Sequence, residues 1–330
     1  MRAHSNTKLS IVFSFRNEEE VLSELITRCR NVLNADSIKK TFSSYELIFV
    51  NDASSDNSLN ILVEESKKNN DIKIINMSRC FGISPCALAG MQHADGDAVV
   101  YMDADLQDPP EVIPQMVDAL INDPETEVVH TIRKSRKGEP LIKKFITKIG
   151  YSILQKTTSF KLTPETGDFK LLSKKAVNEL VKLKEKKPFL RGLVCWIGFK
   201  QTSITYDRQA RYAGKTKCPV FSWRVINNFM ESALISFSSL PLQMATWIGL
   251  ITIAVDFFLL IHIIHEKMIG KAVPGWAAIM VTILFFGSVQ LLCLGIVGIY
   301  LNSIYQETKK RPSFIIDNTF GFENNSPSSS

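Results

Sequence analysis

Asp103 and Asp105 are the residues whose type and spacing most directly imply chemistry in this chain. They follow the apolar run Ala98-Val-Val-Tyr-Met102, and side chains two apart on extended backbone share a face. Two carboxylates held that close repel unless a cation joins them. A hard divalent ion, Mg²⁺ or Mn²⁺, completed by the oxygens of a substrate phosphate, resolves the conflict. Gln107 in the same stretch either adds a ligand or reaches a phosphate. D-x-D occurs in many surface turns, so the weight of the pair comes from its place after a buried strand. Asp52 ends a second apolar run, Tyr45 to Val50, where a carboxylate can accept hydrogen bonds from the N–H groups of a base or the hydroxyls of a ribose. Asp56 is expected to serve only as a cap for the helix that follows. Arg79, in Ser78-Arg-Cys-Phe-Gly-Ile-Ser84, is either a ligand contact beside a turn at Gly82 or a plain surface charge.

The elements that must hold these groups alternate. The pattern predicts strands over Leu9 to Phe15, Tyr45 to Val50, Ile72 to Met77 and Ala98 to Met102, with helices over Glu18 to Leu33, Ser58 to Asn69 and Pro85 to His93. Such alternation is the start of a parallel, doubly wound α/β sheet. Ligands bind an open α/β sheet beyond the carboxyl ends of its strands. Polar clusters sit at those ends: Phe15-Arg-Asn-Glu-Glu-Glu20, Asn51-Asp-Ala-Ser-Ser-Asp56 and Asp103-Ala-Asp-Leu-Gln-Asp-Pro-Pro110.

The 330 residues are 45% hydrophobic and 22% charged, with 16 glycines and 13 prolines, which excludes a disordered or fibrous chain. Six scattered cysteines form no C-x-x-C pair, pointing to a reducing compartment. The net charge of +6 matters less than where it lies. Met1 to Lys8 is polar and leads straight into a strand, so no cleavable signal peptide is expected.

Two stretches, Leu242 to Ile264 and Trp276 to Leu301, are each long and apolar enough to cross a bilayer core of about 30 Å. Lys309, Lys310 and Arg311 follow the second, so the positive-inside rule puts that end, and with two spans the N-terminal region too, in the cytoplasm. Asp256 within the first span is expected to face a partner helix, another subunit or a wet crevice. Leu141 to Leu154 is amphipathic and carries Lys143, Lys144 and Lys148. It either packs on the sheet or, as its lysines favour, lies in the headgroup layer. The expected organisation is a cytoplasmic catalytic domain over 1–221 with that interfacial helix at about 140–155, an amphipathic juxtamembrane helix over 222–240, a two-helix transmembrane hairpin over 241–305 and a partly disordered tail over 306–330.

Taken together, Ser14-Phe-Arg-Asn-Glu-Glu-Glu20, Phe49-Val-Asn-Asp-Ala-Ser-Ser-Asp56, the run from Asp97 to Glu111, Gly167-Asp-Phe-Lys-Leu-Leu172 and Phe189-Leu-Arg-Gly192 resemble glycosyltransferase family 2. The resemblance is to its polyprenyl-phosphate enzymes of the bactoprenol glucosyltransferase and dolichyl-phosphate mannose synthase type, and it covers almost the whole chain. It implies a glycosyltransferase A fold with a mostly parallel sheet, a nucleotide-sugar donor, a divalent ion and inversion at the anomeric centre. Asn51, Cys80, Ile83, Ser84 and Cys218 depart from the family's usual residues.

Carried over residue by residue, Asp103, Asp105 and Gln107 hold Mg²⁺ or Mn²⁺ and the diphosphate. Phe15, Asn17, Glu18, Asp52, Arg79 and Ala104 line the nucleotide sugar, with Arg211 and Lys215 on a loop that closes over phosphates. Arg133, Arg136 and Arg208 meet the lipid phosphate, to which a guanidinium fork is suited; Lys134 and Lys137 equally suit anionic headgroups. Asp168 orients the phosphate or takes a residual proton. The resemblance implies transfer of a hexose, glucose from UDP-glucose, to a polyprenyl phosphate, undecaprenyl or dolichyl. The setting it implies is a bacterial inner membrane and a homo-oligomer, with a tetramer one candidate. GDP-mannose, UDP-galactose, UDP-GlcNAc and UDP-aminoarabinose remain alternative donors. A processive polysaccharide synthase would usually carry a Q-x-x-R-W motif and more spans, and neither is present. A non-catalytic lipid-flipping partner is disfavoured by intact Asp52, Asp103 and Asp105. The basic residues adjoin membrane segments instead of alternating with aromatics, which speaks against nucleic acid.

Overall fold

A computed structural model of the chain describes residues 7–134, 155, 166–208, 240–270 and 275–322. Arg136, Arg211, Lys215, Cys218, nearly all of the expected interfacial helix, the juxtamembrane segment before Leu240 and the last eight residues lie outside them.

Among the described residues one eight-stranded sheet carries the fold, built from β1 (Lys8–Phe15), β2 (Ser44–Asn51), β3 (Ile72–Met77), β4 (Ala98–Asp103), β5 (Thr126–Arg133), β6 (Thr166–Ser173), β7 (Lys200–Tyr206) and β8 (Ile316–Phe320). Its order is β7-β5-β6-β4-β1-β2-β3-β8. β3, β2, β1 and β4 run parallel, as do β5 and β7, whereas β6 lies antiparallel between β4 and β5, and β8 antiparallel to β3. The carboxyl ends of β1, β2, β4, β5 and β7 and the amino end of β6 therefore meet at one edge.

Side-chain alternation along each strand divides the core in two. Ile11, Phe13, Phe49, Phe169 and Leu171 face α1 (Leu22–Leu33), α2 (Asp36–Lys39), α3 (Ser58–Lys68) and α5 (Ile113–Ile121). Val12, Val50, Tyr101 and Leu172 face α4 (Ile83–Gln92), α6 (Lys174–Lys182) and α7 (Leu190–Trp196). The close seat of α4 explains Gly90, where an added Cβ would stand 2.2 Å from Val12 Cγ1. At the edge of the sheet away from the polar loops, the buried Glu46 accepts from Lys8, Lys73, Ser10 and the Asp95 N–H. Burial pushes its carboxyl up, but the Lys73, Lys8 and Ser10 bonds outweigh it and hold it at about 2.

The predicted strands hold to within a residue or so. The first helix starts at Leu22 instead of Glu18, because the chain from Asn17 to Glu19 is drawn onto the loop after β2. Asn17 has φ 54°, and the backbone N–H groups of Asn17, Glu18 and Glu19 donate to Ser54, Ser58 and Asp56. Asp56 also accepts from the Ser58 N–H at the start of α3, but Asn57 and not Asp56 occupies the N-cap position, so the expected cap lies one residue off.

The expected spans are the helices α8 (Leu240–Met268) and α9 (Trp276–Thr308). Each contains an apolar stretch long enough to cross a bilayer, and those stretches are not buried within the chain. Asp256 is exposed on α8.

The segment after α9 returns to the sheet as far as Phe322. β8 adds to the edge of β3, Phe314, Ile316 and Phe322 pack on the second core, and Phe320 packs on the first. Sequence patterning misses this strand because its alternation is short and its burial comes only from a remote partner. Gly321 permits the docking, with φ 76° and the Ile72 carbonyl oxygen 2.3 Å from where a Cβ would stand. Gly321→Ala is expected to lower stability by about 1–3 kcal/mol through strain and overpacking. Thermal unfolding of the detergent-solubilised chain reads the loss, and a melting curve coincident with the wild type would show that the docking does not contribute.

Candidate active site

At the shared strand edge the carboxylates expected from sequence come together. Asp103 ends β4, and its carboxylate accepts from Ser14 Oγ at 3.3 Å and Tyr101 Oη at 3.4 Å. Asp105 is buried and accepts from the Gln107 N–H at 3.1 Å, which tightens the turn. Leu106 between them has φ 56°, and Ala53 after Asp52 has φ 53°. Left-handed backbone at non-glycine residues costs energy and clusters where a site dictates the chain path. Burial first, and then the carboxylates of Asp168, Asp105 and Asp108, push the Asp103 carboxyl up to about 7. That is the electrostatic signature of a carboxylate group suited to a cation.

The other carboxylates are held by cations. Asp168, at the amino end of β6, accepts from Arg191 Nε at 2.8 Å and Nη2 at 2.6 Å. Burial would raise its carboxyl, but Arg191, Lys170 and Arg133 outweigh that and hold it at about 2. Asp108 is 1% exposed and gathers Tyr206 Oη, Arg208 Nε at 3.2 Å and the Arg133 guanidinium at 4.0 Å. One buried carboxylate thus joins the loop after β4 to the ends of β5 and β7. Two guanidinium groups on one carboxylate leave a surplus positive charge facing this edge. Burial and Asp108 push the Tyr206 phenol up to about 12, so it acts as a donor.

On the β2 side, Asp52 receives the N–H of Phe81 at 2.6 Å, the N–H of Gly82 at 3.1 Å and the Cys80 thiol at 3.1 Å. Arg16 Nη1 in turn donates to Cys80 Sγ at 2.9 Å. The departure at Cys80 is therefore accommodated as a relay between Arg16 and Asp52. Asn51 donates to Asn76 and accepts from Ser54, bracing the same loop. Asn17 accepts from the Ser55 N–H.

Several residues assigned to the nucleotide sugar are placed differently from a side-chain contact. Phe15 is 4% exposed and packs in the core against Phe49, so it offers the edge only its carbonyl, which accepts the Asp52 N–H. Ala104 is likewise buried. Glu18 is buried beside α3, and Arg79 lies exposed with its guanidinium over the Phe81 ring. Asp52, Asp103, Asp105, Gln107, Asp168, Arg133 and Arg208 do share the edge. Sequence patterning does not single out Asp108, Arg191 and Tyr206, although each lies in or beside a motif; their pairing across the edge is what distinguishes them.

The sequence profile described as Glycosyl transferase family 2 matches residues 10–181, the segment that contributes nearly all of β1 and the whole of β2 to β6, with the paired aspartates and Asp168. The chain belongs to glycosyltransferase family 2. An uncharacterised glycosyltransferase of Synechocystis sp. (strain ATCC 27184 / PCC 6803 / Kazusa) is 40% identical over 320 residues, 96% of each chain. A prophage bactoprenol glucosyl transferase homolog of Escherichia coli (strain K12) is 33% identical over 310 residues, 94% of this chain and 98% of that one. The bactoprenol glucosyl transferase of Shigella phage SfV is 32% identical over 312 residues, with the same coverage. The sheet described above is the family's glycosyltransferase A fold, and the polar edge is its candidate active site.

A divalent ion fits this family 2 site in part. Among the described residues no three His, Cys, Asp or Glu side chains are gathered to hold a metal. Asp103, its carboxyl pushed up in part by Asp105, would suit a hard ion that took its remaining ligands from substrate oxygens.

Proposed function

We propose that this glycosyltransferase moves a hexose, glucose from UDP-glucose, onto a polyprenyl phosphate with inversion at the anomeric carbon. The observation that carries the reading is the division of one strand edge into two charged halves. Asp103 and Asp105 form the half suited to a nucleotide diphosphate and its metal. Arg133 and Arg208, gathered on Asp108, form the half suited to a second phosphate. The apolar helices α8 and α9 in the same chain supply the reason for that second phosphate to be a lipid's. The bactoprenol names of the Escherichia coli and Shigella phage relatives support the same acceptor and sugar.

The acceptor needs little activation, because a phosphate monoester with a second pKa of about 6 is already anionic near neutral pH. Arg133 and Arg208 orient it for in-line attack while Asp52 holds the nucleoside and Gln107 contacts the diphosphate. Mg²⁺ or Mn²⁺ on Asp103 and Asp105, when bound, supplies the positive charge that stabilises the departing nucleoside diphosphate. Asp168, paired with Arg191 and held at about 2, is a poor proton acceptor and an effective fixed dipole, so its role is orientation. We place the catalytic domain and both termini on the cytoplasmic face of a bacterial inner membrane, where soluble donor and lipid acceptor meet.

The test is a panel of radiolabelled nucleotide sugars incubated with the purified chain and polyprenyl phosphate, followed by lipid extraction. Label is expected in the lipid from UDP-glucose. Label arriving only from a GDP-sugar overturns the donor assignment, and label that never enters lipid overturns the acceptor.

A further inference from the structure

Lys170 stands in the middle of β6 and is 0% exposed, yet its Nζ has no hydrogen-bond partner among the described residues. Taking an ammonium out of water without hydrogen bonds is costly, and an apolar side chain of similar length would pack there at less cost. Its neighbours show what opposes that cost. Strand alternation puts Lys170 on the same face as Asp168, one pleat deeper. Pairing registers set Tyr101 of β4 and His130 of β5 directly across from it. Arg191 and Cys195 lie on α7, and Asp168 exerts the strongest attraction on its charge. Tyr101 extends to Ser14 and Asp103, so Lys170 lies behind both Asp168 and Asp103.

We propose that Lys170 is a positioning residue of glycosyl transfer, a buried ammonium that fixes Asp168 as an ionised, Arg191-paired carboxylate beside Asp103. Arg191 holds Asp168 from the partly exposed side of the pair, and Lys170 does so from within the sheet. Without the inner cation, Asp168 is left facing Asp103 with only Arg191 and Arg133 to offset its charge. The inference rests on the transfer reaction proposed above, and it adds a residue to which neither the sequence motifs nor that reading gave a role.

Burial lowers the Lys170 ammonium to about 8, with Arg191 pushing the same way and Asp168 opposing. His130 is held down to about 4 by burial and by Lys170, so it is neutral when Lys170 is charged. Tyr101 is pushed well above its ordinary value and stays protonated. Lys170 therefore changes charge at mildly alkaline pH, and an arginine in its place would stay charged throughout.

The experiment compares full-length wild type, Lys170→Met and Lys170→Arg with UDP-glucose and polyprenyl phosphate in detergent. Lys170→Met is expected to lose ~10- to 100-fold in kcat, the scale of a misplaced group, with donor KM within about twofold and a melting temperature no lower than wild type. Wild-type kcat is expected to fall as the pH passes about 8, and that fall is expected to vanish in Lys170→Arg. Wild-type kcat in Lys170→Met, or an alkaline fall that persists unmoved in Lys170→Arg, overturns the proposal. If Lys170→Met does not fold, the arginine profile decides alone. If wild type transfers nothing to the lipid, the reading of the acceptor has failed instead, and the same variants are compared by release of nucleoside diphosphate from the donor.

Discussion

Asp105→Asn is expected to transfer sugar at least ~100-fold more slowly than wild type, the scale seen when a group that stabilises developing charge is removed. The substitution keeps the side-chain shape and the acceptor for the Gln107 N–H, so the turn at Leu106 survives. What it removes is one of the two negative charges that suit the edge to a hard cation. It also relieves Asp103, whose carboxyl is pushed up partly by Asp105. The variant should therefore melt no lower than wild type while losing activity, a combination that separates a functional carboxylate from a structural one. Excess EDTA should abolish wild-type transfer, with Mg²⁺ or Mn²⁺ restoring it. An Asp105→Asn chain at wild-type rate, or full transfer in EDTA, would remove the metal from the site.

Arg191→Met is expected to cost ~100-fold in kcat and about 1–3 kcal/mol of stability. The second figure is set below that of a fully buried pair, because Arg191 keeps 34% of its side chain exposed. Asp168 accepts both guanidinium bonds from this one residue, and removing them leaves a carboxylate in the sheet with only the charges of Lys170 and Arg133 to offset it. The pH dependence has a definite sign. The folded carboxyl is held at about 2, below its ordinary 3.8, so the contribution of the pair is complete above about pH 4 and fades as the pH falls towards 2. The melting temperatures of wild type and variant should accordingly converge over that acid window. Parallel curves down to pH 2 would show that the pair does not contribute to folding, and wild-type kcat in the variant would take Asp168 out of the reaction.

Much of the frame was legible in the chain itself. Buried strands such as Ala98 to Asp103 advertise themselves as continuous apolar runs, because a parallel strand covered on both faces has no polar side to show. The loops at their ends carry the D-x-D pair and Asp52, since an open sheet gathers the carboxyl ends of its parallel strands at one edge. The two C-terminal helices announce themselves by length and apolarity alone. These properties are local, so local sequence encodes them.

What the tertiary structure decided is pairing and depth. Asp108 reads as one more carboxylate of a motif until Tyr206 and Arg208, about a hundred residues later, close on it. Phe15 ends the first strand just before a polar loop, and its side chain turns into the core because strand alternation gives it to the Phe49 face. Lys170 looks like a surface lysine between Phe169 and Leu171 until β4 and β5 flank it and remove it from water. β8 becomes a strand only where the exposed edge of β3 offers unpaired N–H and C=O groups. The charge state of a side chain depends on which distant residues share its low-dielectric surroundings, and that neighbourhood exists only once the chain has folded.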